Sequence, residues 1–124
     1  MYKKFITVYE EDFLEPKAIN ASSVTGTSVL NADGTMGALT ATALAVTDVT
    51  VSSAMTVIVK AAEHKSGEYK EVARGTIEPG SYTAGDVLDT VSIPFDVPKY
   101  VKAELTSSTS NTGTVRVTGG YLPR

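Results

Sequence analysis

A chain of 124 residues is long enough for one domain with its own core, since a domain of this size buries roughly two-thirds of the surface that its unfolded chain exposes. It contains no cysteine, which excludes disulfides and thiol chemistry. The formal net charge is −3 and there is no block of Lys or Arg, so we expect no nucleic-acid partner, because that affinity comes mainly from neutralised phosphates.

Targeting signals are not visible in the sequence. The apolar runs are far shorter than the ~20 residues of a membrane helix. The first residues, MYKKFITVYEED, lack the apolar core of about 7–15 residues that a signal peptide needs. We therefore expect a soluble protein, with no membrane partner, that is made in a cytoplasm.

The N-terminal segment, residues 1–16, is predicted to be an arm or an edge strand. It carries Tyr2, Phe5, Tyr9 and Phe13, a dense aromatic load for a terminus. Each large apolar side chain left in water loses roughly 1.5–3 kcal/mol of possible burial. These four aromatic residues are the candidate interaction residues, placed either at the edge of the chain's own sandwich or on a neighbouring molecule.

Acidic residues are concentrated in the second half of this segment. Glu10, Glu11, Asp12 and Glu15 precede Pro16, and we interpret them as a solvated turn. They lack the regular ligand spacing of a calcium-binding loop, so no metal site is expected there.

Residues 17–124 are predicted to form a single β-sandwich domain. Asn31-Ala32-Asp33-Gly34 is a predicted turn, because Asp-Gly favours positive φ. Met36 to Ala45 is rich in Ala and Leu and leaves two alternatives open, a loop or strand and a short helix.

The middle of the chain predicts two strands. Ala54 to Ala61 is a nearly continuous run of apolar residues, which is typical of a central strand buried on both faces. Lys70 to Ile77 is the next strand. The charged loop between them holds the only histidine, His64, which we interpret as a surface residue.

The clearest alternation lies in residues 87–105. Every second residue from Val91 to Val97 is apolar, and Val101 to Leu105 repeats the pattern in a new register. Because proline has no N–H to donate, Pro98 predicts that the second strand leaves the first rather than pairing with it through a tight turn. The alternation places six residues in the core: Val57, Val59, Val91, Ile93, Phe95 and Val101.

The end of the chain predicts one more strand. Residues 106–112, TSSTSNT, are interpreted as a solvated loop. Val115 and Val117 then alternate with polar residues, and we expect their strand to return antiparallel beside Val101 to Leu105.

Taken together, roughly seven to nine short strands recur about every ten residues, in a composition led by Thr, Val and Ala and without Gln. The sequence therefore predicts an all-β, single-domain antiparallel sandwich of the jelly-roll or Greek-key type, with an extended N-terminal segment.

No constellation of catalytic residues is visible. A serine triad would depend on His64 alone, without a Gly-x-Ser-x-Gly sequence. A pair of carboxylates could be drawn from Asp86, Asp89 and Asp96, but these flank a strand, where acidic residues are expected on the solvent face. We therefore expect no enzyme activity, no cofactor, no metal and no small-molecule substrate.

Three segments of the chain resemble a known family. They are the lead-in DFLEPKAINASSVTGTSVLNADG, the central AMTVIVKAA, and the closing SIPFDVPKYVKAELTS with TGTVRVTGG. Their order resembles the small jelly-roll cement, or decoration, proteins of tailed bacteriophage capsids.

The resemblance implies a structural virion protein that binds the outside of a phage head and stabilises the capsid. It implies that the partners are the major capsid protein and two further copies of the chain in a homotrimer. On that view the aromatic N-terminal segment could reach a neighbouring subunit or the capsid. The alternatives are another virion β-module, such as a head–tail or tail component, and a carbohydrate-binding or adhesin sandwich.

Overall fold

The computed structural model describes residues 10–26, 29–31, 39–93 and 100–121. Within these ranges the chain forms strands and no helix, which confirms the all-β prediction. Several predicted features lie outside the described residues: Tyr2, Phe5, Tyr9, Phe95 and most of the turn at 31–34. The strands are β1 (Glu10–Ala18), β2 (Ser23–Val24), β3 (Leu30–Asn31), β4 (Leu39–Ala45), β5 (Val49–Val51), β6 (Met55–Ala62), β7 (Lys70–Ile77), β8 (Gly80–Tyr82), β9 (Val87–Ile93), β10 (Tyr100–Thr106) and β11 (Thr114–Tyr121).

Two antiparallel sheets form the predicted sandwich. One has four strands in the order β1-β11-β4-β9. The other has five strands in the order β2-β10-β6-β7, with β3 also paired to β10. A short pair, β5-β8, lies outside both sheets.

The antiparallel pairings are nested along the chain. The first strand, β1, pairs with the last, β11, and β2 and β3 pair with β10. Further in, β4 pairs with β9, and β6 pairs with β7. In the described ranges, these pairs therefore lie one inside the other along the chain, with β1 and β11 outermost and β6 and β7 innermost.

The hydrophobic core lies between the two sheets. Alternate residues of β6 and β10 point into it, as do the valines of β11. The core prediction is confirmed for five residues, each at most 6% exposed: Val57, Val59, Val91, Ile93 and Val101. The sixth, Phe95, lies outside the described residues.

Two predictions for the middle strands are corrected. β6 is central, between β10 and β7, but it is not buried on both sides, since Thr56, Ile58 and Lys60 are only half-buried. In 39–45 the helix alternative is wrong. Residues 39–45 form β4, between β11 and β9, and the alanines at alternate positions, Ala41, Ala43 and Ala45, are buried on its core side.

The prediction that the second of these strands does not pair with the first through a tight turn is confirmed, because β9 and β10 belong to different sheets. The prediction for the last strand is wrong. β11 does not pair with β10 but lies between β1 and β4 in the opposite sheet. The connection 107–113 crosses from one sheet to the other instead of forming a hairpin turn.

Candidate interaction surfaces

The acidic segment around Glu10 to Glu15 is a strand and not the predicted solvated turn. It belongs to β1, which runs from Glu10 through Pro16 to Ala18 and forms one edge of the four-stranded sheet. Proline is tolerated on an edge strand because one side of that strand makes no ladder bonds. β1 thus crosses the boundary predicted between residues 16 and 17.

Phe13 is the one candidate interaction residue that the structure describes. It is 1% exposed and belongs to the chain's own core, so its ring is not available to a partner in this conformation. The adjacent Leu14 is also fully buried. The register of β1 against β11 shifts between Asp12 and Leu14, and such a bulge lets neighbouring residues share one face.

The outer side of the five-stranded sheet forms what we call the charged face, which carries Lys60, Glu71, Arg74, Lys102 and Glu104. These residues lie on the side of β6, β7 and β10 that points away from the core. Lys60 Nζ is 2.9 Å from Glu104 Oε1, and Lys102 Nζ is 3.8 Å from Glu104 Oε2. Such pairs on a surface contribute roughly 0.2–1 kcal/mol each, so they orient side chains more than they stabilise the fold.

The edge strand β7 carries a two-pronged ion pair on the charged face. Arg74 donates two hydrogen bonds, from Nε to Glu71 Oε2 and from Nη2 to Glu71 Oε1, and the donor–acceptor distance is 2.7 Å in both. Hydrogen bonds from Arg74, with its charge and that of Lys60, lower the pKa of the Glu71 carboxyl. The same pairing raises the pKa of Arg74.

Arg74→Gln is expected to raise the pKa of Glu71 toward the ordinary glutamate value, because it removes the hydrogen bonds and the charge that lower it. A carboxyl whose pKa is lowered by folding stabilises the fold above its unfolded pKa, and this contribution is lost as the pH falls through the folded pKa. The variant should therefore lose less stability on acidification. NMR titration of the Glu71 carboxyl carbon measures the shift.

Lys65→Gln is the matched control, since it removes one positive charge from an exposed loop position. Glu71 should titrate in this control as in the parent. Identical titration of Glu71 in the parent and in Arg74→Gln would mean that the ion pair does not form in solution.

An aromatic group borders the charged face. Lys102 Nζ lies 4.5 Å from the centre of the Tyr69 ring. The Tyr69 hydroxyl donates a hydrogen bond of 2.8 Å to the carbonyl oxygen of Lys65. Desolvation, followed by the proximity of Tyr100, raises the pKa of Tyr69. One face of the Tyr69 ring is thus already covered by a cation of the same chain.

One end of the sandwich is made by residues 19–22, by residues 46–53, which include the short strand β5, and by the connection 107–113. We call these three segments the loop cluster. The interpretation of TSSTSNT as a solvated loop is wrong for Asn111, which is fully buried. Its Oδ1 accepts from the backbone N–H of Ser52 at 2.8 Å and of Ser53 at 3.0 Å. Its Nδ2 donates to the Ser53 carbonyl at 3.2 Å and to Ser107 Oγ at 2.9 Å.

Backbone contacts complete the loop cluster. Thr50 and Thr112 exchange two backbone hydrogen bonds of 3.0 Å, and Ser107 Oγ donates to the Ile19 carbonyl over 2.7 Å. Gly113 has a φ of +115°, and a Cβ there would lie 2.7 Å from the carbonyl oxygen of Asp48. Glycine is therefore required for this close crossing between the sheets.

The residues weighed for catalysis are not assembled into a site. His64 is exposed at the tip of the loop before β7, where its carbonyl accepts from Gly67 N–H over 2.8 Å. Asp86 is exposed, while Asp89 is half-buried on the inner side of β9, which corrects its predicted place on the solvent face. Asp96 lies outside the described residues.

Within the described ranges, no group of three or more His, Cys, Asp or Glu side chains is placed to hold a metal ion. The same part of the chain contains no helix long and apolar enough to cross a membrane. In the comparisons with known proteins, no family model and no curated protein matches the chain.

Proposed function

We propose that the chain is a structural virion protein, a cement or decoration protein that binds the outside of a phage head. Its partners are the major capsid protein and two further copies of itself in a homotrimer. It is made in the host cytoplasm and acts on the capsid exterior. Its role is to stabilise the capsid against internal pressure, without chemistry of its own.

The nested strand pairing is the observation that carries this proposal. A jelly roll can be described as a hairpin of antiparallel strand pairs that is rolled into two sheets. The nested pairs support this alternative over a simpler sandwich; they are β1–β11, β2/β3–β10, β4–β9 and β6–β7. This agrees with the architecture that the resemblance to cement proteins implies.

The use of polar side chains agrees with a structural role. On the charged face, Lys60 and Lys102 are each ion-paired with Glu104. In the loop cluster, Asn111 uses its side-chain donors and acceptor to join separate connections. The ion pairs orient surface side chains, and the Asn111 bonds join two connections of the chain, as a component under mechanical load requires.

Co-sedimentation with heads of the encoding phage tests the proposal. We expect the purified protein to sediment with expanded heads and to raise the temperature at which they release DNA. Its mass in solution should be that of a trimer. Binding to tails or head–tail connectors alone would favour the other virion modules, and a monomer that binds glycans but not heads would favour a carbohydrate-binding sandwich.

The N-terminal segment is tested by removing residues 1–9. The structure sets this limit, because β1 begins at Glu10 and Phe13 belongs to the core, so a longer deletion would damage the sandwich itself. If Tyr2, Phe5 and Tyr9 anchor an arm, the truncated protein should keep its thermal stability but no longer form trimers or bind heads. Circular dichroism melting, light scattering and co-sedimentation measure the three properties.

Two full-length variants separate aromatic anchoring from chain length. The triple substitution Tyr2→Ser, Phe5→Ser and Tyr9→Ser should reproduce the deletion. Its control replaces Lys3, Lys4 and Thr7 by Ser and should behave as the parent. If the truncated protein forms normal trimers and binds heads normally, the hypothesis that residues 1–9 form an anchoring arm is wrong.

A further inference from the structure

One long side of the sandwich is bordered by two edge strands, β7 of the five-stranded sheet and β9 of the four-stranded sheet. Among the described strands, β7 pairs with β6 alone and β9 with β4 alone. Within the described part of the chain, each of the two strands therefore has an outer edge of N–H and C=O groups that another chain could extend. Natural proteins protect such edges with charges, bulges or prolines.

The two edges are protected differently. β7 (KEVARGTI) carries Lys70, Glu71 and Arg74, all exposed. β9 (VLDTVSI) has Asp89 as its single charged residue. The six residues of β9 on either side of Asp89 are uncharged and include several with high β-propensity. Strands of this composition readily pair with a strand of a second copy.

Asp89 occupies a core-side position. Asp89 and Val91 pair with Ala43 and Ala41 of β4, which are each 1% exposed. Val91, two residues along and on the same face, is 6% exposed. The carboxylate of Asp89 therefore points into the side of the sandwich while Thr90 beside it is exposed.

The facing strand leaves room for this carboxylate. Gly75 of β7 pairs with Val57, whose side chain is in the core, so a side chain at 75 would point toward β9. A Cβ built on Gly75 would collide with Asp89 Oδ2 and would lie 2.8 Å from Val91 Cγ2. The ladder of β9 against β4 also shifts register between Ala43 and Leu44, next to Asp89.

We propose that the carboxylate of Asp89, lodged opposite Gly75, prevents a second copy of the chain from adding a strand to the β7/β9 side of the sandwich. A strand added to either edge would cover more of the Asp89 side chain, which is only half-buried in the single chain. Burying a charge without a partner is costly, so edge-to-edge pairing is disfavoured there. Self-association of the chain is thereby directed to other surfaces. This inference does not depend on the proposed function.

Three single variants of the full chain test the proposal. Asp89→Asn removes the charge but keeps the shape, Asp89→Val also adds apolar area, and Thr90→Val adds the same apolar, β-branched side chain on the exposed face of β9. Light scattering after size-exclusion chromatography over a range of concentrations measures the mass, circular dichroism reports folding, and hydrogen exchange reports protection of the β9 amides.

We expect both Asp89 variants to form species larger than the parent, folded and with slower exchange in β9, and Thr90→Val to match the parent. If Asp89→Val does not fold, the mass of Asp89→Asn alone tests the proposal. The proposal is overturned if Asp89→Asn keeps the parental mass at every concentration. It is equally overturned if Thr90→Val associates as strongly, because apolarity and not the inward charge would then control the edge.

Discussion

Replacing Phe13 by alanine is expected to lower the free energy of unfolding by about 3–5 kcal/mol, the usual cost of removing a buried aromatic ring. Phe13 is 1% exposed and lies beside the fully buried Leu14 on the edge strand β1. The cavity would weaken the pairing of β1 with β11, which joins the two ends of the described chain. The melting temperature should fall by about 10–20 °C.

Thermal and denaturant unfolding of the purified variant measures this loss. Val46→Ala is the control, because Val46 is an apolar residue that is 40% exposed and should change stability by no more than about 0.5 kcal/mol. Equal stability of Phe13→Ala and the parent would show that the ring is not in the core. Phe13 would then again be a candidate residue for contact with a partner.

Asn111→Ala is expected to cost about 2–4 kcal/mol, because a net contribution of roughly 0.5–1.5 kcal/mol is lost with each of the hydrogen bonds that the Asn111 side chain makes. The substitution removes the acceptor of two backbone donors, the N–H groups of Ser52 and Ser53. The contact between two connections is lost with these two bonds. The substitution also removes the amide donor to Ser107 Oγ, which lies in the same connection as Asn111. The loss should be greatest locally, in the loop cluster.

Hydrogen exchange separates this local effect from global unfolding. We expect the Ser52 and Ser53 amides to exchange much faster in Asn111→Ala, in step with the lower stability. Thr112→Ala is the control, because it changes the adjacent exposed side chain and keeps the backbone bonds between Thr50 and Thr112. Unchanged exchange at Ser52 and Ser53 would mean that water replaces the Asn111 side chain without loss.

Bulges explain where the alternation pattern fails. β1 brings Phe13 and Leu14 into the core together because its register shifts there, and an alternating pattern cannot show this. Sequence reasoning therefore left two places open for Phe13, the edge of the chain's own sandwich or a neighbouring molecule, and it interpreted the acidic residues around Phe13 as a turn. Asn111 was missed for another reason, since a Ser/Thr/Asn tract has the same composition whether it is solvated or buried.

By itself, the sequence determined the all-β class, the strands with a clear period of two, and their core residues, because alternation depends only on neighbours along the chain. The alternation of Val91 and Ile93 and the core side of Val101–Leu105 are examples. The tertiary structure alone decided that β11 lies between β1 and β4 rather than beside β10, and that Asp89 faces Gly75. Both depend on contacts between residues far apart in sequence, which become favourable only when the two sheets close over a common core.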